Sequence, residues 1–391
     1  MYLQGKIPAS LATQELAGEV DELLYRYLSH PMAAINPLSN PKGVKLECEL
    51  CNSPAHLQCS ACKVTYYCDS DHQQADWVSI HEKICQLLIP LRIAQPFSSS
   101  AEERSHSLEQ LLLRKKHLID LTLKEAQKHL YGGRHADVIP AAMHSLSFTI
   151  DVFGLATVEL VPAYLILAEA NIGLGHLPQA EEYLSQAYWT VLKTTDCSNA
   201  IRSKLHRNLG LLYSAKGEFE ESLRHFSNDV YFASETAGTN HMSVTGGYFH
   251  MANIFFRQNK MDIADSLYTE VTDIWHAHLS KLLNVHVNES SRSMSSLEKD
   301  QENLDENQEA EALQILSAIC DIREQAPKKD PAKIMHILHT LTMLHFIAMD
   351  WPKAEEFGKK LLLTTQQLPE EKISDDIAIL LRLIELKCTA K

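Results

Sequence analysis

Three stretches of this chain superimpose at a fixed spacing of 42 residues, and few folds accommodate such a pattern. Tyr164, Leu167, Ala168, Asn171, Gly175, Ala180, Leu184 and Ala187 are matched by His206, Leu209, Gly210, Tyr213, Gly217, Ser222, Phe226 and Asp229. A third set follows: Tyr248, Met251, Ala252, Phe255, Asn259, Ala264, Tyr268 and Val271. In each stretch, helically spaced residues lie on both sides of a turn former (Gly175, Gly217, Asn259), so the unit is a pair of helices. The small residues Ala168, Gly210 and Ala252 let the two helices approach, while Leu184, Phe226 and Tyr268 fill the groove beside the next pair. One such pair cannot bury its apolar face alone, whereas a stack of pairs can.

These are the positions at which tetratricopeptide repeats place aromatic, small and turn residues; their usual length is about 34 residues, so the longer period points to longer helices. One period upstream, Ala126, Gly133, Val138 and Ala142 form a degenerate terminal unit. Downstream, Leu341, Thr342, His345, Ala354, Gly358 and Leu361 fit another, with Asp350-Trp351-Pro352 at its turn and Pro352 in the first turn of the second helix. The fold class expected is mainly α: a small two-zinc finger followed by a tetratricopeptide-like α-solenoid. The serine run Ser98–Ser100 with Glu102 and Glu103 opens a long helix to about Tyr131, which Gly132-Gly133 stops. Residues 288–307 are rich in Ser, Asp and Glu, with almost nothing large and apolar, and read as a mobile loop. Helix resumes near Glu309, breaks around Pro327 to Pro331, and ends in a closing helix from Ile373 to Cys388 with Ile377, Leu380, Leu381 and Ile384 inward.

Ahead of the repeats, eight metal-ligating residues crowd into 38 positions: Cys48-x2-Cys51, Cys59-x2-Cys62, Cys68-x3-His72 and His81-x3-Cys85. Four ligands of this kind complete one tetrahedral zinc site, so two structural zinc ions are expected, and the segment is too short to fold without them. Sites with four protein ligands are closed, which points away from zinc catalysis. The expected division is 1–45, an N-terminal helix and Pro-rich linker; 46–88, the finger; 100–287, the repeats; 288–307, the loop; and 308–391, further helical repeats with a closing helix.

The run Val64-Thr65-Tyr66-Tyr67-Cys68, then His72-Gln73-Gln74-Ala75-Asp76-Trp77 and His81-Glu82-Lys83-Ile84-Cys85, resembles the MYND-type zinc finger. In that family the ligand pairs interleave. The resemblance implies that Cys48, Cys51, Cys68 and position 72 hold one zinc, and Cys59, Cys62, His81 and Cys85 the other. Position 72 is normally Cys in the family; His72 either completes a Cys3His site or stays exposed and leaves that site loose. Trp77 is either a recognition residue for a peptide or part of the finger's small core. MYND fingers bind short proline-containing peptides, and the resemblance extends that expectation to this one.

From about Lys45 onward the arrangement is similar to a family of axonemal MYND-finger proteins of cilia and sperm flagella. The similarity is carried by Trp77–Leu91, by Glu159-Leu160-Val161-Pro162-Ala163-Tyr164 and by His206-Arg207-Asn208-Leu209-Gly210-Leu211-Leu212-Tyr213. It implies a scaffold tethering inner-arm dynein components through other tetratricopeptide proteins. MYND fingers also occur in nuclear corepressor adaptors, which is the alternative reading.

Composition narrows the functional classes. Net charge is −14, and between Leu46 and Leu88 two Lys stand against six acidic residues, a balance that repels phosphate backbones and argues against nucleic acid. Six of the nine cysteines lie in the finger, and Cys197, Cys320 and Cys388 are scattered through helices, a usage suited to a reducing, intracellular compartment. No signal peptide or membrane span is expected: the apolar stretch from Val152 to Gly175 is interrupted by Glu159 and Glu169. Residues 10–29 read as an amphipathic helix with Leu16, Val20, Leu23, Leu24, Tyr27 and Leu28 on one face, either docking a partner or covering the protein's own body. Pro31, Pro37 and Pro41 read as a linker. Some MYND proteins are lysine methyltransferases, but the Asn-His-x-Cys element of their strand-rich domain is absent: Asn240-His241 is followed by Met242-Ser243 in a helical repeat. With no catalytic constellation at readable spacing, the chain is expected to be a non-enzymatic protein-binding scaffold.

Overall fold

The computed structural model describes residues 32–36, 45–93, 100–289, 304–365 and 375–389. The helix expected over 10–29 lies outside these residues, as does most of the acidic, serine-rich loop. The strands are β1 (Met32–Ala34), β2 (Leu57–Cys59) and β3 (Tyr66–Tyr67), followed by helices α1 (Ser70–Asp76), a five-residue π-helical turn (Trp77–His81), and α2 (Glu82–Arg92). Then come α3 (Ala101–Tyr131), α4 (His135–Phe153), α5 (Val161–Gly173), α6 (Leu177–Lys193), α7 (Asn199–Lys216) and α8 (Phe219–Ala237). The remainder is α9 (Thr245–Arg257), α10 (Met261–Glu289), α11 (Glu306–Gln325), α12 (Pro331–Ile347), α13 (Trp351–Thr365) and α14 (Asp375–Thr389). Two compact units result: residues 1–126 with 137–153, and residues 127–136 with 154–391.

In the second unit, the turns carry the repeat. Gly175, Gly217 and Asn259 all adopt the left-handed conformation, at φ 78°, 82° and 59°. Each closes its helix with the same two hydrogen bonds. Around Gly175, its N–H donates to the Ile172 carbonyl at 3.0 Å and the His176 N–H to the Asn171 carbonyl at 2.8 Å. Gly217 with Glu218, and Asn259 with Lys260, repeat the pattern, which satisfies carbonyls that a helix end otherwise leaves open. Gly133 and Met349 close their helices in the same way, so the degenerate units at either end share the turn. Met349 holds this conformation without glycine's freedom, its side chain in solvent.

The buried positions follow the same register. Ala168, Ala252, Ala180, Ser222, Ala187, Asp229 and Val271 are all fully buried. Gly210 is needed for contact inside its own pair: a Cβ there would lie 2.5 Å from the Phe226 ring, which also stacks on His250 of the next pair at 5.3 Å. The longer period has two sources. Helices α6, α7 and α8 run to 17, 18 and 19 residues, and short 3-10 turns at Val158–Leu160 and Met242–Val244 precede α5 and α9. Helices α9 to α14 share one core around Trp275, Leu279, Ile319, Leu341 and Leu380. There Gly358 occupies the position that Leu184, Phe226 and Tyr268 hold elsewhere, and Leu381 of the closing helix fills the space, its Cδ2 2.9 Å from where a Cβ would stand.

The first unit differs from the sequence expectation at its start. Met32–Ala34, read as linker, forms an antiparallel edge strand on β2, with Ala33 opposite Gln58. The prolines at 31 and 37 stand outside this three-residue strand, so none of its own positions lacks a backbone N–H. No helix among the described residues is long and apolar enough to cross a membrane.

Candidate metal centre

The eight cysteines and histidines fall into two groups that could each hold a metal ion, their donor atoms within 4.8 Å of one another: Cys48, Cys51, Cys68 and His72, and Cys59, Cys62, His81 and Cys85. Local geometry accounts for each pair. In both Cys-x2-Cys turns the residue that follows the second cysteine is left-handed, Asn52 at φ 56° and Lys63 at φ 60°, and its N–H donates back to the carbonyl of the first cysteine. Cys68 follows β3, and His72 lies one helical turn on, in a helix capped by Asp69, whose Oδ1 accepts the His72 N–H at 2.8 Å. His81 and Cys85 are likewise one turn apart on a shared face.

The spacings suit zinc. A tetrahedron with Zn–S bonds of ~2.3 Å has edges of about 3.8 Å. Cys59 Sγ lies 3.9 Å from Cys85 Sγ, and Cys62 Sγ 3.7 Å from His81 Nε2. In the other group Cys51 Sγ is 3.6 Å from Cys68 Sγ, and His72 Nδ1 is 3.5 Å from Cys48 Sγ and 3.0 Å from Cys68 Sγ. His72 therefore points into its cluster through Nδ1. The chemistry of the donors agrees. Burial pushes the Cys85 thiol up to about 11 and, with Asp69 beside it, the Cys68 thiol up to about 12. Hydrogen bonding from Cys59 pulls Cys62 far down, at the cost of Cys59, which is pushed up. The cysteines in a group cannot all be thiolates unaided, and a bound dication is what permits it. Each group offers four ligands able to hold one zinc ion, and both are closed.

The second cluster has a supporting layer that the sequence did not single out. His81 directs Nε2 at Cys62, and its Nδ1 faces Asp76 Oδ2 at 3.5 Å. Asp76 is fully buried; it accepts from Tyr67 Oη at 2.7 Å and pairs with His144 Nε2 at 2.9 Å. Burial alone would raise its carboxyl, but the His144 charge and hydrogen bond bring it below the ordinary range. A carboxylate behind a ligating histidine fixes the ring's orientation. The one available signal was that a buried ligating imidazole needs an acceptor for its second nitrogen.

Ser79 ties the finger to α4. Pro140 lies inside that helix, and the Ala141 N–H donates to Ser79 Oγ at 3.0 Å. Ser79 Oγ in turn donates to the Asp137 carbonyl at 2.6 Å. The hydroxyl thus bridges a backbone carbonyl and a backbone N–H that lie one turn apart in the helix. Trp77 packs on the finger's core beside Tyr67, Leu50 and Ile89, its ring 5.7 Å from His81.

In the repeat body, Arg207 joins four elements. Its Nε donates to Asp229 at 2.8 Å, Nη1 to Glu311 at 2.7 Å and Nη2 to the Ser243 carbonyl at 3.1 Å. Gly246 makes room for it, since a Cβ there would meet Nη1 at 2.4 Å. Asn240 and His241 lie at the start of α9's lead-in turn, where His241 Nδ1 accepts the Ser243 N–H at 3.2 Å, an ordinary capping contact.

Fold and site together define a zinc-finger protein with a tetratricopeptide-like helical body. Residues 48–85 match the model of the MYND finger family. The body is similar to BtubC from P. vanneervenii, at 15% identity over 66% of this chain and 94% of that one, with a TM-score of 0.29. It is also similar to a Podosopora anserina kinesin light chain with nearly identical TPR-like repeats, at 12% identity over 65% and 97% and TM-score 0.33. A third likeness is a Rap protein complexed with competence and sporulation factor, at 14% identity over 78% and 77% and TM-score 0.38. A MYND finger on tetratricopeptide-like repeats is an arrangement of interaction modules.

Proposed function

We propose that the finger carries two structural zinc ions, one on Cys48, Cys51, Cys68 and His72 and one on Cys59, Cys62, His81 and Cys85, and that the chain is a protein-binding scaffold of the ciliary or sperm-flagellar axoneme. The observation that carries the scaffold reading is the union of a closed, four-ligand finger with a stack of helix pairs: the metal has no open position for a substrate, and the stack presents extended surface. The axonemal assignment rests on the resemblance of Trp77–Leu91 and the segments at 159–164 and 206–213 to zinc finger MYND domain-containing protein 12. The same resemblance implies inner-arm dynein components and other tetratricopeptide proteins as partners. Proline-containing peptides would be the ligands of the finger itself.

Two measurements test this. Metal analysis of the purified chain should return two zinc per molecule, falling to about one for His72→Ala; a value clearly below two that His72→Ala leaves unchanged would remove the first site. Proximity labelling of the full chain in ciliated cells should enrich axonemal dynein components. Nuclear signal without axonemal signal would replace this reading with that of a corepressor adaptor.

A further inference from the structure

We propose that His144, in the helix α4 beyond the finger, is a positioning residue for the second zinc site and sets how firmly Cys59, Cys62, His81 and Cys85 hold their ion. The inference rests on the two-zinc reading and deepens it, because the finger then does not complete its own second site.

The line of contacts is short and buried. His81 aims Nε2 at Cys62 Sγ, 3.7 Å away, so when Nε2 ligates a metal the ring proton belongs on Nδ1. That Nδ1 is buried and makes no hydrogen bond; it faces Asp76 Oδ2 at 3.5 Å. An approach of about 0.5 Å turns this contact into an ordinary N–H···O bond. The carboxylate is held ready for it at both oxygens. Oδ2 accepts from the Tyr67 hydroxyl at 2.7 Å, and Oδ1 from His144 Nε2 at 2.9 Å, the imidazole donating because a carboxylate only accepts. Tyr67 alone would leave Asp76 free to turn about one oxygen. His144, 68 residues further along the chain, removes that freedom.

His144 is itself fixed. Ser79 Oγ bridges Asp137 and Ala141, and Ala141 lies one turn ahead of His144 on the same face of α4. The His144 ring stacks on Phe148, with centroids 6.1 Å apart. Asp76 is fully buried and His144 4% exposed, so bulk water does not compete for the contact. The first site is more open: Cys51 is exposed and Cys68 and His72 are half-buried, whereas all four ligands of the second are buried. An outer partner that orients a ligating histidine is worth roughly 10–100-fold in metal affinity.

Zinc release from the full chain to excess pyridylazoresorcinol, a chromogenic chelator, provides the test. Release should be biphasic, and the phase that survives in His72→Ala, the slow one, belongs to the second site. His144→Phe keeps a ring against Phe148 and removes the donor; it should speed the slow phase roughly 10–100-fold and leave the fast phase unchanged. His144→Gln, whose amide N–H reaches as far as the imidazole Nε2, should recover most of the difference. Long-range proton–nitrogen correlations of the zinc-loaded chain should place the His81 proton on Nδ1. Its resonance should move upfield in His144→Phe and return in His144→Gln, which a purely packing role would not produce. A slow phase unchanged by His144→Phe, a His144→Gln no better than His144→Phe, or equal acceleration of both phases would each overturn the role of His144. A native chain holding fewer than two zinc ions would instead count against the two-zinc reading, so the two failures are distinct.

Discussion

A methyl group at position 210 would stand 2.5 Å from the ring of Phe226, yet the equivalent positions of the neighbouring repeats are alanines, Ala168 and Ala252. Opposite Ala168 stands the smaller Leu184, and opposite Ala252 a ring, Tyr268, whose hydroxyl is held by Asn253, whereas the Phe226 ring lies directly against Gly210. Gly210→Ala gains up to about 1 kcal/mol of helix propensity and costs ~1–3 kcal/mol in overpacking. A net loss of stability is expected, seen as a lower urea midpoint. Phe226→Leu introduced with it should restore much of the loss, since the pair then copies the first repeat. A single mutant as stable as the parent would show that the ring moves aside freely. At this scale the sequence was informative because the 42-residue register aligns buried positions without needing to know what they touch. It was silent on Asp76 and His144, whose roles come from neighbours 9 to 68 residues away.

The π turn and the serine-bridged proline turn of α4 are features of elements, and neither has a sequence period. Pro140 in the interior of a helix ordinarily costs about 3 kcal/mol through a lost hydrogen bond and a steric clash. In α4 Ser79 Oγ joins the Asp137 carbonyl to the Ala141 N–H, one residue past the proline. Ser79→Ala would remove the hydroxyl to which the buried Ala141 N–H donates, a loss of about 1–3 kcal/mol. Hydrogen exchange at the Ala141 amide should quicken and the first unit should melt earlier, with the repeat body unaffected. Unchanged exchange at Ala141 would mean that its N–H does not depend on the Ser79 hydroxyl. Periodicity revealed the helices and the αL turns, with Gly133, Gly175, Gly217 and Asn259 all in place. It could not reveal the strand at Met32–Ala34, whose three residues acquire their conformation from β2. The turn at Met349 was legible only through its flanking Asp350-Trp351-Pro352.

Across the whole molecule, burial shifts many titratable groups of the repeat body, and the histidines set the direction. Burial above all lowers His250 to about 3 and His206 and His339 to about 4. His225, His276, His278 and His345 shift the same way for the same first cause. As pH falls through 6.5 the unfolded chain takes up these protons and the folded chain does not, so stability declines, by at most about 1.4 kcal/mol per pH unit for each group. Carboxyls whose ionisation is suppressed by burial act oppositely, because the folded state keeps their protons longer; Glu169, Asp229 and Glu309 are of this kind. Seven histidines against three carboxyls give a body that loses stability between pH 6.5 and about 4. Tryptophan fluorescence reports it well, since Trp189, Trp275 and Trp351 belong to the repeat body and only Trp77 to the finger. The urea midpoint should drop from pH 7 to pH 5, and His250→Phe, which removes one of the deepest shifts while keeping a ring against Phe226, should lessen the drop. Acidification also releases zinc by protonating its ligands, so the comparison is made on chelator-treated protein as well. The body should show the same pH dependence there, and a midpoint that holds steady or rises toward pH 5 would overturn the histidine account.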